Sequence, residues 1–327
     1  MATALVERFR ERLPLSPSTP IVTLGEGGTP LLPAPRLSQR LGLDIWLKWE
    51  GANPTGSFKD RGMAVALSKA VEEGAQAVIC ASTGNTAASA AAYAARAGLP
   101  ALVLQPEGAV ALGKLAQARA QGARLLAVRG SFDDALAAAR SLASRGTHAL
   151  VNSLNPYRIE GQKTAAFEIV DELDAAPEVL ALPYGGGGNT CAYAKGFVEA
   201  DAGLPCILAA QSSERSRTVA SAIRIATPVH EEQVTEALAR TRGRVVSVAD
   251  EAILEAWRQL AHEEGVFCEP ASAASVAALA GSGLEPGTRV VCVITGHGLK
   301  DPEIVERLTP SPIVVEPDAD AIAAAGG

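Results

Sequence analysis

The chain is short of the residue types that mark secreted, zinc-stapled or membrane-spanning proteins. Its five cysteines, Cys80, Cys191, Cys206, Cys268 and Cys292, are odd in number and scattered, and most sit in apolar runs. Such spacing offers no disulfide framework; the thiols read as small core residues of a protein in a reducing compartment, so the cytoplasm is the expected location. With four histidines and no Cys-x-x-Cys pair, a structural zinc site lacks its ligands, and no metal is expected. No uninterrupted apolar run reaches membrane-spanning length. Met1 to Arg12 is charged and has no apolar signal core, so neither a membrane partner nor an export signal is expected. Positive charge is also scarce. Lys and Arg number 29 against 36 Asp and Glu, a net charge of −7 that argues against a nucleic-acid partner. No internal repeat or low-complexity linker is present.

What remains is an ordinary globular composition, 48% apolar and 20% charged, in 327 residues, enough for two domains with a sizeable core. Strand-like runs cover Ile45 to Glu50, Ala77 to Ala81, Ala101 to Leu104, Arg124 to Val128 and Ala149 to Asn152. The second half repeats the pattern at Val179 to Pro183, Ile207 to Gln211, Arg244 to Val248 and Val290 to Thr295. Helix-like stretches with short connections separate them. The clearest amphipathic ones follow Thr164 and run from Asp250 to Glu264. This alternation predicts an α/β fold, with parallel-rich sheets covered by helices on both faces. The Ala/Gly/Pro-rich tail from Pro310 is expected to be partly unpacked.

The chain is organised around Lys59, in Asn53-Pro-Thr-Gly-Ser-Phe-Lys-Asp-Arg-Gly62. Pro54 and Gly56 mark a turn, and Ser57 is the expected N-cap of the helix that follows. Lys59 then lies in a first helical turn, where the dipole and desolvation both disfavour the ammonium form. A neutral amine is what a lysine needs to form a Schiff base with an aldehyde. On this stretch alone, a surface lysine at a helix start fits as well.

Two strand-to-helix loops offer anion sites. Ser82-Thr-Gly-Asn-Thr86 combines free backbone N–H groups with three hydroxyls, although a plain helix cap reads the same way. Tyr184-Gly-Gly-Gly-Gly-Asn-Thr190 carries four consecutive glycines, which weaken a fold unless backbone must approach something closely; a phosphate is the usual reason. Its spacing does not fit the dinucleotide fingerprint. Gly108 to Leu115 imitates a nucleotide P-loop but has Leu115 where a magnesium-binding hydroxyl belongs, so ATP binding is not expected. Asn152 to Thr164 packs many donors into one loop, with Arg158 able to clasp an oxyanion. Val293 to Lys300 is a strand ending in Thr295 and two glycines, and a hydroxyl there can meet a ring nitrogen without bringing a charge.

Taken in order, these pieces resemble the fold-type-II pyridoxal-phosphate enzymes (tryptophan synthase β-like), and within them the threonine synthase family. The carriers are Asn53 to Gly62, Ser82 to Thr86, Asn155-Pro-Tyr-Arg158 with Glu160-Gly-Gln-Lys163, Glu269-Pro-Ala-Ser-Ala273, and Thr295-Gly-His-Gly-Leu-Lys300. The resemblance spans about Gly25 to Pro302. It implies pyridoxal 5'-phosphate bound covalently to Lys59, which also shuttles protons. Phe58, Asn85 (at the ring hydroxyl), Gly185, Gly186, Gly187, Gly188, Asn189, Thr190 and Thr295 complete the cofactor site. Ser82, Thr83, Gly84, Thr86, Asn152, Ser153 and Arg158 are implied to hold the substrate. The implied reaction turns O-phospho-L-homoserine and water into L-threonine and phosphate, by γ-elimination and β-hydration. Two three-layer α/β domains are implied: a large cofactor-binding one from 1–53 plus 153–327, and a small mobile one from 54–152. So is a homodimer.

The chain departs from that pattern in two places. Gly185-Gly-Gly-Gly-Asn189 stands where the family usually has Gly-Asn-Ala-Gly-Asn, and a tetraglycine is what serine/threonine dehydratases carry there. The segment Ser212 to Thr218 is shorter than the family's loop, which borders the active site. An alternative reading is therefore a relative acting on serine, threonine or hydroxyaspartate by elimination, or by β/γ-replacement. A third reading is a ligand sensor that kept the fold and lost catalysis.

Overall fold

The computed structural model describes residues 4–108 and 112–326. Ten strands are present among them: β1 Leu31–Pro33, β2 Asp44–Trp49, β3 Ala77–Ala81, β4 Ala101–Pro106, β5 Arg124–Val128, β6 His148–Leu150, β7 Val179–Pro183, β8 Cys206–Ser212, β9 Arg244–Val248 and β10 Arg289–Ile294. They form two sheets, a six-stranded one in the order β1-β2-β10-β7-β8-β9 and a four-stranded one in the order β5-β4-β3-β6. Every described pairing is parallel except β1 on β2. Strands β3 and β7 are buried along their whole length, as expected where helices cover both faces of a sheet.

The expected strands all form. Of the ten, β1 was not foreseen; it follows directly on Gly27, Gly28 and Pro30 and pairs with β2 from Leu31↔Lys48 to Pro33↔Trp46. Strand β6 stops two residues before the expected end at Asn152. The Asn152 side chain imitates a backbone pairing, with Oδ1 accepting from Ala81 N at 3.0 Å and Nδ2 donating to Ala81 O at 2.8 Å. Pro310 to Asp320 is exposed throughout, consistent with an unpacked tail. Cys80, Cys268 and Cys292 are buried, and none of the five cysteines is in a disulfide. No described helix is long and apolar enough to cross a membrane. Residues 109–111 of the P-loop-like stretch lie outside the described residues.

Each sheet has an apolar cluster on either face. On one face of the larger sheet Ile45, Leu47, Val290, Cys292 and Ile294 share a cluster with Ala273, Ala274 and Ala277 of helix Pro270–Ala277 and, packed on that helix, Trp257 and Leu260 of helix Asp250–His262. The four-stranded sheet packs Val78, Cys80 and Val103 against helices Lys59–Glu72 and Asn85–Ala97. Leu5, Val6, Phe9, Leu13 and Val22 belong to this second core, so the N-terminal arm packs with the smaller sheet's helices.

A buried ionic cluster ties Arg61, two residues after Lys59, to both halves of the chain. Arg61 Nε meets Glu50 Oε2 at 2.6 Å and Nη2 meets Glu168 Oε2 at 2.6 Å; Lys48 Nζ lies 3.0 Å from Glu168. Burial raises the Glu168 pKa, but Arg61 and Lys48 outweigh that and hold it down at about 2. Its stabilising share is present above the ordinary carboxylate range and is lost as pH falls toward 2. Replacing Glu168 with Gln leaves Arg61 and Lys48 short of a countercharge. The expected loss is about 3 kcal/mol of unfolding free energy, checked by urea denaturation at neutral pH.

Candidate active site

Parallel strands collect their carboxyl ends at one edge, which is where open α/β sheets bind ligands. β10 and β7 are neighbours in the larger sheet, in register from Val290↔Val179 to Cys292↔Ala181. Extending that register brings Thr295 beside Tyr184 and the tetraglycine. The Lys59 loop is fastened to the same edge. Ser57 bridges Gly296, Phe58 N donates to Thr295 O at 3.0 Å, and His297 N donates to Gly56 O at 2.9 Å. This corrects the expected cap. Because Ser57 is drawn into the bridge, Phe58 takes the N-cap position, the helix begins at Lys59, and Ser57 Oγ is buried without a partner.

Lys59 is half-buried, and its pKa is lowered to about 7. Desolvation is the main cause and the positive charge of Arg158 the second; Glu269 opposes them. Nζ lies 4.2 Å from the centroid of the Phe58 ring. Arg158 comes close because two helices touch backbone to backbone. A Cβ on Gly62 would sit 2.6 Å from Arg158 O, so glycine is required where helix Lys59–Glu72 meets helix Pro156–Gln162. Arg158 is 1% exposed; Nη1 donates to Val151 O at 2.8 Å, and Nε has no protein partner. Burial lowers its pKa to about 10, so it stays charged at neutral pH.

The other predicted residues fall around this pair. Ser82, Thr83, Gly84, Asn85 and Thr86 are half-buried between a fully buried strand and a buried helix face. The helix they open, Asn85–Ala97, has no side-chain cap, so its first N–H groups face the loop unclaimed by a side chain. Asn85 Nδ2 donates to both carboxylate oxygens of Glu269, at 3.0 and 3.1 Å. Thr295 Oγ1 and Ser272 Oγ share a hydrogen bond of 2.9 Å. Asn152 is engaged on Ala81, as described above, and Ser153 O meets His230 Nε2 at 3.1 Å. Glu269, Ser272, Arg215 and His230 were given no role from sequence. Glu269 and Ser272 lay inside a quoted motif and Arg215 in the shortened segment, whereas nothing in the sequence singled out His230.

The tetraglycine has the features of a phosphate cradle. Gly187 has φ +92°, and a Cβ there would lie 2.7 Å from Val234 Cγ2. Helix Gly188–Ala200 starts at once and has no side-chain cap. In its first turn Asn189 Nδ2 and Thr190 Oγ1 are buried with no hydrogen-bond partner among the described residues. Uncapped N–H groups and orphaned donors at a helix start fit a dianionic phosphate. With the low-pKa amine of Lys59 at the neighbouring strand end, the donor set fits a phosphorylated aldehyde. Gly187→Ala is expected to cost about 2 kcal/mol through the left-handed backbone and the Val234 contact, measurable as a lowered denaturation midpoint.

Comparison with known proteins agrees. The profile of the pyridoxal-phosphate dependent enzyme family matches residues 22–296. A threonine synthase from Halalkalibacterium halodurans is 50% identical over 97% of this chain and 95% of its own length. One from Synechocystis is 50% identical over 99% of this chain and 90% of its own. Among solved structures, a fungal L-serine ammonia-lyase from Rhizomucor miehei superposes with TM-score 0.76 at 24% identity, covering 86% of this chain and 97% of that one, which shows the shared fold. On this evidence the chain belongs to the pyridoxal-phosphate dependent enzymes, in the threonine synthase family.

Proposed function

We propose that this chain converts O-phospho-L-homoserine and water into L-threonine and inorganic phosphate, with pyridoxal phosphate held by Lys59 and the tetraglycine. The observation that carries the reading is the half-buried Lys59, whose amine pKa is lowered by desolvation and by Arg158, beside an uncapped glycine cradle. Half-identical relatives named threonine synthase support it. The bound cofactor supplies an electron sink that makes the substrate Cα proton removable.

The chain's own groups do the rest. Lys59 Nζ, with its pKa lowered to about 7, takes a proton from Cα and one from Cβ as phosphate leaves Cγ, then returns one to Cγ and, once water has added at Cβ, one to Cα. Glu269 holds the Asn85 amide at one place, where it would be a partner for the cofactor's ring hydroxyl. The Ser272–Thr295 hydroxyl pair would serve the ring nitrogen without bringing a formal charge. Ser82, Thr83, Gly84 and Thr86 take the substrate carboxylate. Ser153 and Arg158 take the substrate phosphate, and the free Nε of Arg158 is a donor for it. Asn152 serves by bracing that loop. Residues 54–152, with the N-terminal arm packed on them, act as a smaller unit that closes on the substrate against the rest of the chain. A homodimer in the cytoplasm completes the reading.

The test is purified protein with pyridoxal phosphate and O-phospho-L-homoserine, expected to release phosphate and threonine in equal amounts. Absence of phosphate release would retire the reading. Keto acid and ammonia from serine, threonine or hydroxyaspartate would favour the elimination alternative instead. A protein without a cofactor absorbance band would point to a sensor.

A further inference from the structure

Four glycines in a row form the most flexible run a chain can have, yet a backbone cradle holds an anion only when its N–H groups are turned one way. Two hydrogen bonds impose that direction. Arg215 Nη2 donates to Gly185 O at 2.9 Å, and His230 N donates to Gly186 O at 3.1 Å. A trans peptide is planar, so a carbonyl and the next residue's N–H point in opposite directions. Holding the oxygens of Gly185 and Gly186 therefore fixes the N–H groups of Gly186 and Gly187, each pointing away from the held carbonyl before it.

Arg215 is itself firmly held. Nε donates to Ile225 O at 3.1 Å, Nη1 to Gln211 Oε1 at 2.5 Å, and the guanidinium lies 4.8 Å from the centroid of the Tyr184 ring. It comes from the shortened segment after Gln211, and Ile225 Cδ1 is the nearest atom to the site of a Cβ on Gly186, at 3.6 Å.

We infer that Arg215 is the positioning residue of the phosphate cradle. Its fork, spread over Gln211, Gly185 and Ile225, orients the tetraglycine N–H groups for the cofactor phosphate. Arg215 acts through carbonyl oxygens, so its contribution is orientation of the loop. A lysine offers one point donor and cannot span the three acceptors. The inference rests on the proposed function, because it takes the phosphate to be that of pyridoxal phosphate.

The full chain is stripped of cofactor and titrated with pyridoxal phosphate and, separately, with pyridoxal, which lacks the phosphate. Wild type, Arg215→Lys, Arg215→Met and Gln211→Ala are compared. For both Arg215 variants, Kd for pyridoxal phosphate is expected to rise ~10–100-fold, the range one hydrogen bond to a charged donor spans. Kd for pyridoxal should stay within about twofold, and the bound phosphate should move in its 31P resonance. Gln211→Ala frees one arm of the fork and should show a smaller loss of the same kind, which keeps the test open if the Arg215 variants do not fold. Equal weakening for both ligands would overturn the inference, since a general structural role predicts that. Wild-type affinity in Arg215→Lys, or unchanged affinity in all variants, would overturn it too. If wild type itself takes up no pyridoxal phosphate, the functional reading falls, a result separate from any comparison of variants.

Discussion

Replacing Lys59 with alanine is expected to lower turnover at least ~10,000-fold and to remove the imine absorbance band of the cofactor-loaded protein, leaving that of the free aldehyde. The fold should survive. The substitution removes a desolvated amine that lies in the field of Arg158, so the cofactor-free protein should melt no lower than wild type. Rate, spectrum and melting temperature together separate loss of chemistry from loss of structure. A pH series on wild type checks the same group. With a pKa of about 7, lowered first by burial and then by Arg158, Nζ is increasingly protonated as pH falls. Capture of pyridoxal phosphate by the stripped protein should therefore slow about fivefold from pH 7 to 6 and about tenfold for each further unit. An unperturbed lysine would already be almost wholly protonated at pH 7.

The second large effect is expected at Arg158. Arg158→Gln removes a buried guanidinium that has one arm on Val151 O and a free Nε. For a phosphorylated substrate, kcat/KM should fall about 1,000-fold, the worth of two charge-assisted hydrogen bonds, mainly through KM. The absorbance of the bound cofactor should remain. A second signature follows from the electrostatics. Arg158 helps to keep the Lys59 amine neutral, so its loss lets the Lys59 pKa rise and shifts the pH dependence of cofactor capture upward. A residue that only supported the loop would leave that profile in place.

Much of the architecture was legible without coordinates. β3, β5, β7 and β9 begin and end where apolar periodicity and turn residues place them: β3 and β7 are buried parallel strands that read as short apolar runs, while the largely exposed edge strands β5 and β9 are bounded by turn residues such as Gly122, Gly130 and Gly243. The loops after those strands were legible for the same reason, since glycine runs and clustered hydroxyls have few structural uses. The misread cap at Ser57 shows where local reading stops. Its hydroxyl is well placed in sequence, but a strand end more than 230 residues away takes the backbone first. The end of β6 is a similar case, decided by an Asn152 side chain that reaches across to Ala81.

The amino-acid order alone settled the class of fold, the lysine, the two anion loops and the hydroxyl at the end of β10, because each is written in residues adjacent along the chain. The three-dimensional arrangement alone decided the rest. It put Arg158 against Lys59 through a glycine contact between helices, Glu269 on Asn85, and Arg215 and His230 on the tetraglycine. Those pairings join residues 30 to 184 positions apart. No local pattern encodes them, since they follow from which strands lie side by side and how closely two helices can approach.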